Sequence, residues 1–368
     1  MKTRIIISGG GTGGHIFPAI AIANELRNQI PDVDILFVGA NNRMEMRRVP
    51  EAGYEIKGID MYGLQRSFTL KNVITNLKLP FRVWKSLRKA KKIIVDFNPH
   101  IAIGVGGYVS GPVLKIAASK KTPTLIQEQN SYPGITNKIL AKKAKIICTA
   151  YDNLESFFDP NKTVKTGNPV RSDIINLPQN KEDAYKYFGL DPNKKIVSVI
   201  GGSLGAKSIN ESLMEIVHDF ISEGIQLIWQ TGEYYYQSIP EKLKEIEGIK
   251  ILPFVKRMDY LYKISDVIVS RAGALSISEL CIVGKPCVLV PSPNVAEDHQ
   301  TKNANVLANA GAAVSVADKE TKEKLGYVIF DLIDNNQKCE EMSKNLKKLA
   351  IPDATERIVI EIKKLLST

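Results

Sequence analysis

Two β-branched runs end in glycine-rich turns. Ile5-Ile6-Ile7-Ser8 leads into Gly9-Gly10-Gly11-Thr12-Gly13-Gly14-His15, and Ile196-Val197-Ser198-Val199-Ile200 leads into Gly201-Gly202-Ser203-Leu204-Gly205-Ala206. A strand that ends in glycines and continues as a helix aims backbone N–H groups and the positive helix end at one point, an arrangement suited to phosphate. Two such turns half a chain apart predict two nucleotide-type folds and two phosphate-bearing substrates. His15 stands just beyond the first glycines, where the helix dipole disfavours imidazolium and keeps a proton-accepting ring near neutral pH. Gly9, Gly11 and Gly14 also satisfy the dinucleotide pattern GxGxxG. That pattern calls for an acid at the end of the second strand to hold the ribose, and Phe37-Val38-Gly39-Ala40-Asn41-Asn42 offers none, so an NAD(P)-dependent oxidoreductase is the second reading. Ser276-Ile277-Ser278-Glu279 fits a helix capping box.

The elements that must position these residues alternate along the whole chain. Apolar runs at 34–38, 100–105, 122–126 and 145–149, and at 195–200, 226–230, 250–252, 267–270 and 287–290, are separated by helical stretches. This is βα repetition with buried parallel strands, an α/β protein. The 368 residues suit two domains, with 44% hydrophobic and 24% charged residues. The turn-rich Thr166-Gly167-Asn168-Pro169-Val170-Arg171 is the expected hinge. After Pro352, Asp353-Ala354-Thr355-Glu356 reads as the acidic start of a last helix with Ile358, Ile362 and Leu365 on one face. With no run of eighteen apolar residues and Met1-Lys2-Thr3-Arg4 leading straight into a strand, neither a spanning helix nor a signal peptide is expected, and the protein reads as cytosolic.

The charge is local. Of the net +11, eight positive charges lie between Lys71 and Lys92 with no acid among them: Lys71, Lys78, Arg82, Lys85, Arg88, Lys89, Lys91 and Lys92. A nucleic-acid protein would spread such residues along a groove with interleaved aromatics. Here they share a helical pattern with Leu70, Val73, Ile74, Leu77, Phe81, Trp84 and Leu87, and Pro80 is expected to split the segment into two short helices. Cys148, Cys281, Cys287 and Cys339 form no CxxC pair and read as reduced and non-metallic. The one Asp-x-Asp pair, Asp32-Val33-Asp34, precedes the second strand and reads as turn capping, so no metal is expected. His100 and His218 lie outside any motif and read as structural.

Taken together, Gly10-Gly11-Thr12-Gly13-Gly14-His15, Gly106-Gly107-Tyr108-Val109-Ser110-Gly111-Pro112, Glu128-Gln129-Asn130, Gly167-Asn168-Pro169-Val170-Arg171, Gly201-Gly202-Ser203-Leu204-Gly205-Ala206, Arg271-Ala272-Gly273-Ala274-Leu275-Ser276-Ile277-Ser278-Glu279 and Ile351-Pro352-Asp353-Ala354-Thr355-Glu356-Arg357 closely resemble the MurG family, in order and from end to end. The resemblance implies a GT-B fold, two Rossmann-like domains with parallel sheets facing across a cleft. Residues 1–168, completed by a C-terminal helix at 352–368, would bind the acceptor and the membrane, and 169–351 would bind UDP-GlcNAc. The implied reaction is inverting transfer of GlcNAc from UDP-GlcNAc to the C4 hydroxyl of the MurNAc of lipid I, giving lipid II for peptidoglycan. Such a step needs a base on the acceptor hydroxyl and charge stabilisation for departing UDP.

His15 suits the base, and equally a donor to the acceptor pyrophosphate. The resemblance implies donor contacts from Thr12, Gly13, Gly14, Asn130, Arg171, Gly202, Ser203, Val255, Ala274, Leu275, Ser276, Glu279 and Gln300. Within these, Arg171, Gly202 and Ser203 would face the diphosphate, Val255 the uracil by its main chain, Asn130 and Gln300 the transferred sugar, and Glu279 the ribose hydroxyls unless it only closes a capping box. Gly13, Gly14, His15, Gly107, Tyr108 and Ser110 would face the acceptor, with a tight structural turn as the other reading of Tyr108 and Ser110. The chain departs from the familiar pattern at Gln127, where some members carry histidine, and at His299, where some carry glutamine. The further partners implied are the anionic cytoplasmic face of the bacterial inner membrane, held peripherally, and cell-wall synthesis proteins, with no nucleic acid and no cofactor. A related glycolipid synthase and a non-catalytic membrane scaffold are the remaining alternatives.

Overall fold

The computed structural model describes residues 2–61, 79–202 and 204–367, positions 79–81 and 296 by backbone alone. The chain divides into two compact units, Met1–Val170 with Asp353–Thr368, and Arg171–Pro352.

In the first unit, seven strands form one parallel sheet: β1 (Arg4–Ser8), β2 (Asp34–Ala40), β3 (Glu55–Ile59), β4 (Ile101–Gly104), β5 (Thr124–Glu128), β6 (Ile146–Thr149) and β7 (Thr163–Lys165). Their order is β3-β2-β1-β4-β5-β6-β7. Ile6 lies in register with Leu36 on one side and Ala102 on the other. Successive side chains of β1 enter opposite layers, as the period of two requires. Ile6 joins Ala90, Ile94, Ala102 and Ile126 on one face, and Ile5 and Ile7 join Ile16, Leu26, Ile358 and Ile362 on the other. Helices cover both faces, and that explains why the strands read as continuous apolar runs. The last helix, Ala354–Leu366, packs on the helix Gly13–Gln29 and so belongs to the first unit.

The second unit repeats the plan with β8 (Ile196–Ile200), β9 (Gln226–Gln230), β10 (Ile249–Leu252), β11 (Val267–Ser270), β12 (Cys287–Leu289) and β13 (Val314–Ser315). All pairs are parallel, in the order β10-β9-β8-β11-β12-β13. In each unit the order reverses beside the first strand, between β1 and β4 and between β8 and β11. Loops leaving the carboxyl ends of those two strands diverge to opposite sides and leave a crevice for a ligand.

Three strands were not expected from sequence: β3, β7 and β13. All three are sheet edges, β3 and β7 are partly exposed and β13 has two residues, so none carries the apolar run of a doubly covered strand.

Only part of the basic segment lies within the described residues. A helix runs over Leu79–Phe97 with Pro80 in its first turn, where the missing N–H costs nothing; positions 62–78 lie outside the described residues, and with them the first half of the split expected at Pro80 and Leu70, Val73, Ile74 and Leu77 of the expected stripe. The buried face is Ser86, Ala90, Ile93 and Ile94, whereas Trp84 is half exposed and carries the Arg88 guanidinium 4.3 Å above its ring. Trp84 therefore sits on the same exposed side as Lys85, Arg88, Lys89 and Lys92 rather than in the core.

Candidate active site

In the first unit the glycine turn after β1 is held by interactions that explain its composition. Gly11 has φ +91°, a conformation that favours glycine. A Cβ on Gly10 would stand 2.1 Å from Glu45 Oε1, and one on Gly39 would stand 2.6 Å from Glu45 Cγ. The glycines are there because a glutamate occupies the space. Glu45, the first residue of the helix Glu45–Glu51, is buried, and its carboxylate accepts from Gly11 N at 3.1 Å and from Ala40 N at 2.9 Å.

The turn after β4 closes the other side. Gly106 and Gly107 have φ +94° and +81°. A Cβ on Gly106 would lie 2.6 Å from His15 Cδ2, and one on Gly107 would lie 2.4 Å from Gly10 O. The two glycine turns thus meet around His15. His15 Nδ1 lies 3.1 Å from Gly10 O and 3.3 Å from Thr12 Oγ1. A carbonyl can only accept, so the bond to Gly10 assigns the proton to Nδ1 and makes Nε2 the basic nitrogen. Gly13 and Gly14 open the helix Gly13–Gln29, and N–H groups in a first helical turn have no acceptor within the helix. Thr12 is its N-cap residue, Tyr108 is half exposed, and Ser110 is fully buried with its hydroxyl donating to Gly107 O at 2.8 Å. Ser110 therefore serves the tight turn.

At the end of β5, Glu128 accepts from Asn130 N at 2.9 Å, Asn130 Nδ2 at 3.2 Å, Gly134 N at 3.1 Å and Asn137 Nδ2 at 2.8 Å. Burial pushes its carboxyl up, against the pull of those donors. Asn130 is thereby fixed in backbone and side chain. Gln127 is buried and donates to Asn168 Oδ1 at 2.9 Å, and Asn168 in turn donates to Gln129 O at 3.0 Å, so the hinge asparagine stitches the turn after β5. Asp32 lies in a left-handed turn at φ +59° and Asp34 opens β2. His100 accepts from Arg4 N at 2.9 Å.

In the second unit, Gly202 after β8 has φ +84°, followed by the helix Lys207–Ser222; Ser203 lies outside the described residues. After β11, the helix Ala274–Val283 starts with Gly273 as its N-cap. Ala274 and Leu275 are its first residues and Ser276 is its third, so Ser276 is not a cap and no capping box with Glu279 exists. Glu279 is instead buried, and its Oε2 accepts from Tyr262 Oη at 2.8 Å. Burial pushes the Glu279 carboxyl up; the Arg171 guanidinium and the tyrosine hydroxyl oppose that, while Asp173 adds to it. Tyr262, on the helix Met258–Ile264, has its phenol pushed up by burial and by the glutamate beside it. Arg171 Nε lies 3.7 Å from Asp173 Oδ1, Gln300 Oε1 accepts from Ser292 N at 2.9 Å, and Gln230 Oε1 accepts from Val255 N at 2.9 Å. Arg271 donates to Val290 O at 3.2 Å and pairs with Asp318, tying the end of β11 to the end of β12.

Glu45, Tyr262, Gln230 and Arg271 were missed as supports of the site. A single buried-looking acid at the head of a helix, as at Glu45, was the only signal available, and it is a weak one. Burial also holds the thiol of Cys281 at about 12 and those of Cys148 and Cys287 higher, which leaves them unreactive.

Residues 5–149 match the glycosyltransferase family 28 N-terminal domain and residues 196–358 the corresponding C-terminal domain. Over 367 residues the chain is 52% identical to a UDP-N-acetylglucosamine–N-acetylmuramyl-(pentapeptide) pyrophosphoryl-undecaprenol N-acetylglucosamine transferase of Parabacteroides distasonis, covering 99% of each chain. It is 49% identical to the Flavobacterium psychrophilum protein of the same name, covering 99% of this chain and 98% of that one. Among solved structures it matches MurG of Acinetobacter baumannii with a TM-score of 0.75 at 30% identity, covering 98% of this chain and 99% of that one.

Proposed function

Since the chain belongs to glycosyltransferase family 28, and within it to the UDP-N-acetylglucosamine–N-acetylmuramyl-(pentapeptide) pyrophosphoryl-undecaprenol N-acetylglucosamine transferases, we propose the following division of labour for its UDP-GlcNAc-dependent transfer to lipid I. The fold is GT-B, with two Rossmann-like units. The first unit takes the acceptor and the second takes UDP-GlcNAc. His15 Nε2 removes the proton from the C4 hydroxyl of the muramoyl sugar as that oxygen attacks the anomeric carbon from the face opposite UDP. The bond to UDP breaks, its electron pair stays on the diphosphate, and the product carries the inverted linkage. The observation that carries this reading is the His15 ring clamped between two glycine turns with its proton on Nδ1.

The acceptor pyrophosphate falls to the helix start at Gly13 and Gly14, with Gly107 and Tyr108 beside it. On the donor side, Gly202, Ser203 and Arg171 neutralise the diphosphate, and Ala274, Leu275 and Ser276 contribute from the next helix start. Val255 faces uracil with its carbonyl, its N–H being engaged by Gln230. Glu279 accepts the ribose hydroxyls, and Thr12, Asn130 and Gln300 complete the binding of UDP-GlcNAc. The experiment that tests the reading pairs UDP-GlcNAc with lipid I and, separately, with diacylglycerol. UDP release with lipid I alone is expected, and release with diacylglycerol alone would make the protein a glycolipid synthase.

With a helix terminus and an arginine assigned to the diphosphate, activity is expected to survive exhaustive EDTA treatment. Loss that magnesium or manganese restores would overturn that assignment.

Attachment to the membrane is assigned to the exposed side of the helix Leu79–Phe97. Among the described residues no helix is long and apolar enough to cross a bilayer, and Trp84 with its neighbouring lysines and arginines suits a peripheral, salt-sensitive contact with an anionic inner leaflet. Each such charge contributes on the order of 1 kcal/mol near that surface. Ile135 and Ile139, both more than half exposed on the helix Ile135–Ala141, are further exposed apolar side chains of the first unit. Replacing Lys85, Arg88, Lys89 and Lys92 with glutamine should weaken binding to anionic vesicles and activity on full-length lipid I, yet spare activity on a short-chain soluble acceptor. Unchanged vesicle binding at low salt would place the docking surface elsewhere.

A further inference from the structure

We propose that Glu45 is a positioning residue for the transfer step, whose buried carboxylate fixes the Gly10–Gly11 backbone and through it the orientation and tautomer of His15. The inference rests on the reading of His15 as the base. Glu45 comes from the second βα unit, yet both of its oxygens are used by the site. Oε2 accepts from Gly11 N and Oε1 from Ala40 N, so one carboxylate ties the turn after β1 to the end of β2. The peptide it holds is the one whose Gly10 carbonyl accepts from His15 Nδ1. On the far side, Gly107 packs so closely that its Cβ would stand 2.4 Å from that same oxygen. Gly10 O therefore has one place to be, provided the carboxylate keeps its side of the clamp.

Two further observations agree. Gly10 and Gly39 both lack a Cβ where one would strike Glu45, so two glycines accommodate one side chain. With Gly11 N already donating to a carboxylate, that N–H is withdrawn from anion binding, and an incoming pyrophosphate is directed onward to the helix start at Gly13 and Gly14. A carboxylate offers two acceptors, whereas an amide of the same shape offers one oxygen and an NH2, which would have to face a backbone N–H. Glu45→Gln thus unlocks one end of the clamp without changing its volume.

The experiment measures kcat, KM for the acceptor and UDP-GlcNAc affinity in the full-length protein for Glu45→Gln, His15→Ala and the double variant, with thermal unfolding of each. Glu45→Gln is expected to lower kcat about tenfold or more with UDP-GlcNAc affinity within twofold of wild type, and to cost nothing further when His15 is already alanine, because residues acting through one group are not additive. A merely structural role would lower kcat by the same factor in both backgrounds. If Glu45→Gln does not fold, Glu45→Asp, which keeps the charge but is too short to span both N–H groups, replaces it in the same cycle. A full loss in His15→Ala together with an undiminished effect of the Glu45 change in that background, or no effect of the Glu45 change at all, overturns the positioning role alone. Near-wild-type turnover in His15→Ala overturns the base, and the positioning role with it.

Discussion

His15→Ala is expected to lower turnover by about a hundredfold or more while leaving UDP-GlcNAc affinity nearly unchanged, since general bases contribute on that order. The reason lies in how the ring is held. Gly10 O accepts from Nδ1, which leaves Nε2 as the proton acceptor, and Gly106 closes on the ring edge so that no larger residue fits behind it. Most of the donor contacts proposed above belong to the second unit, so donor affinity should be nearly insensitive to the change. Steady-state kinetics with a soluble lipid I analogue, alongside a direct UDP-GlcNAc binding measurement, separates the two quantities. Turnover close to wild type would reduce His15 to a donor for the acceptor pyrophosphate or to a piece of the turn. His15→Asn separates the base from the donor in its own right, because an amide can still donate but cannot act as a base.

Glu279→Ala should weaken UDP binding roughly ten- to a hundredfold and abolish the preference for UDP over its 2′-deoxy analogue. Hydrogen bonds to a charged group are worth about 1.5–3 kcal/mol, and the side chain is buried, so little solvent screens it. Tyr262 occupies one lone pair of Oε2 and orients the carboxylate. The pH dependence has a definite sign. Burial raises the pKa of Glu279 above that of an ordinary glutamate, with Arg171 and the Tyr262 hydroxyl limiting the rise and Asp173 adding to it. The ionised form is the better acceptor for ribose hydroxyls, so UDP affinity should fall as pH drops through that raised pKa, at a higher pH than an exposed glutamate would give. The alanine variant should lose this acid limb along with the ribose preference. If it merely unfolds at lower temperature and still discriminates against 2′-deoxy-UDP, the ribose assignment fails and Glu279 is a packing residue.

Much of the fold was legible because its determinants are local. Strands covered on both faces appear as short β-branched runs, and nine of them fall close to their expected positions. The glycine turns announce the ends of β1, β4 and β8, and the last helix shows its apolar face at Ile358 and Ile362, both buried against the first unit. Of the edge strands, β3, β7 and β13 escaped detection because an edge needs no continuous apolar run, whereas β10 was expected. On the helix Leu79–Phe97 the buried face is Ser86, Ala90, Ile93 and Ile94, while Trp84 of the apolar stripe is half exposed. Trp84 and Leu87 repeat at the same interval as Ser86, Ala90 and Ile93, and periodicity alone cannot say which of two parallel stripes meets the core.

The sequence by itself determined the family, the two βα units and the residues in the glycine turns, because glycine at a positive φ and apolar runs in doubly covered strands are imposed within a few neighbouring positions. Only the tertiary structure decided what those residues do for one another. Glu45 and Gly11 are 34 residues apart, and Tyr262 and Glu279 are 17 apart; their meeting depends on sheet order and on the exit angles of helices, which no local pattern encodes. The same holds for the capping box. Ser276 and Glu279 have the right spacing, but the helix begins two residues before Ser276, and a buried carboxylate takes the donor that burial brings to it.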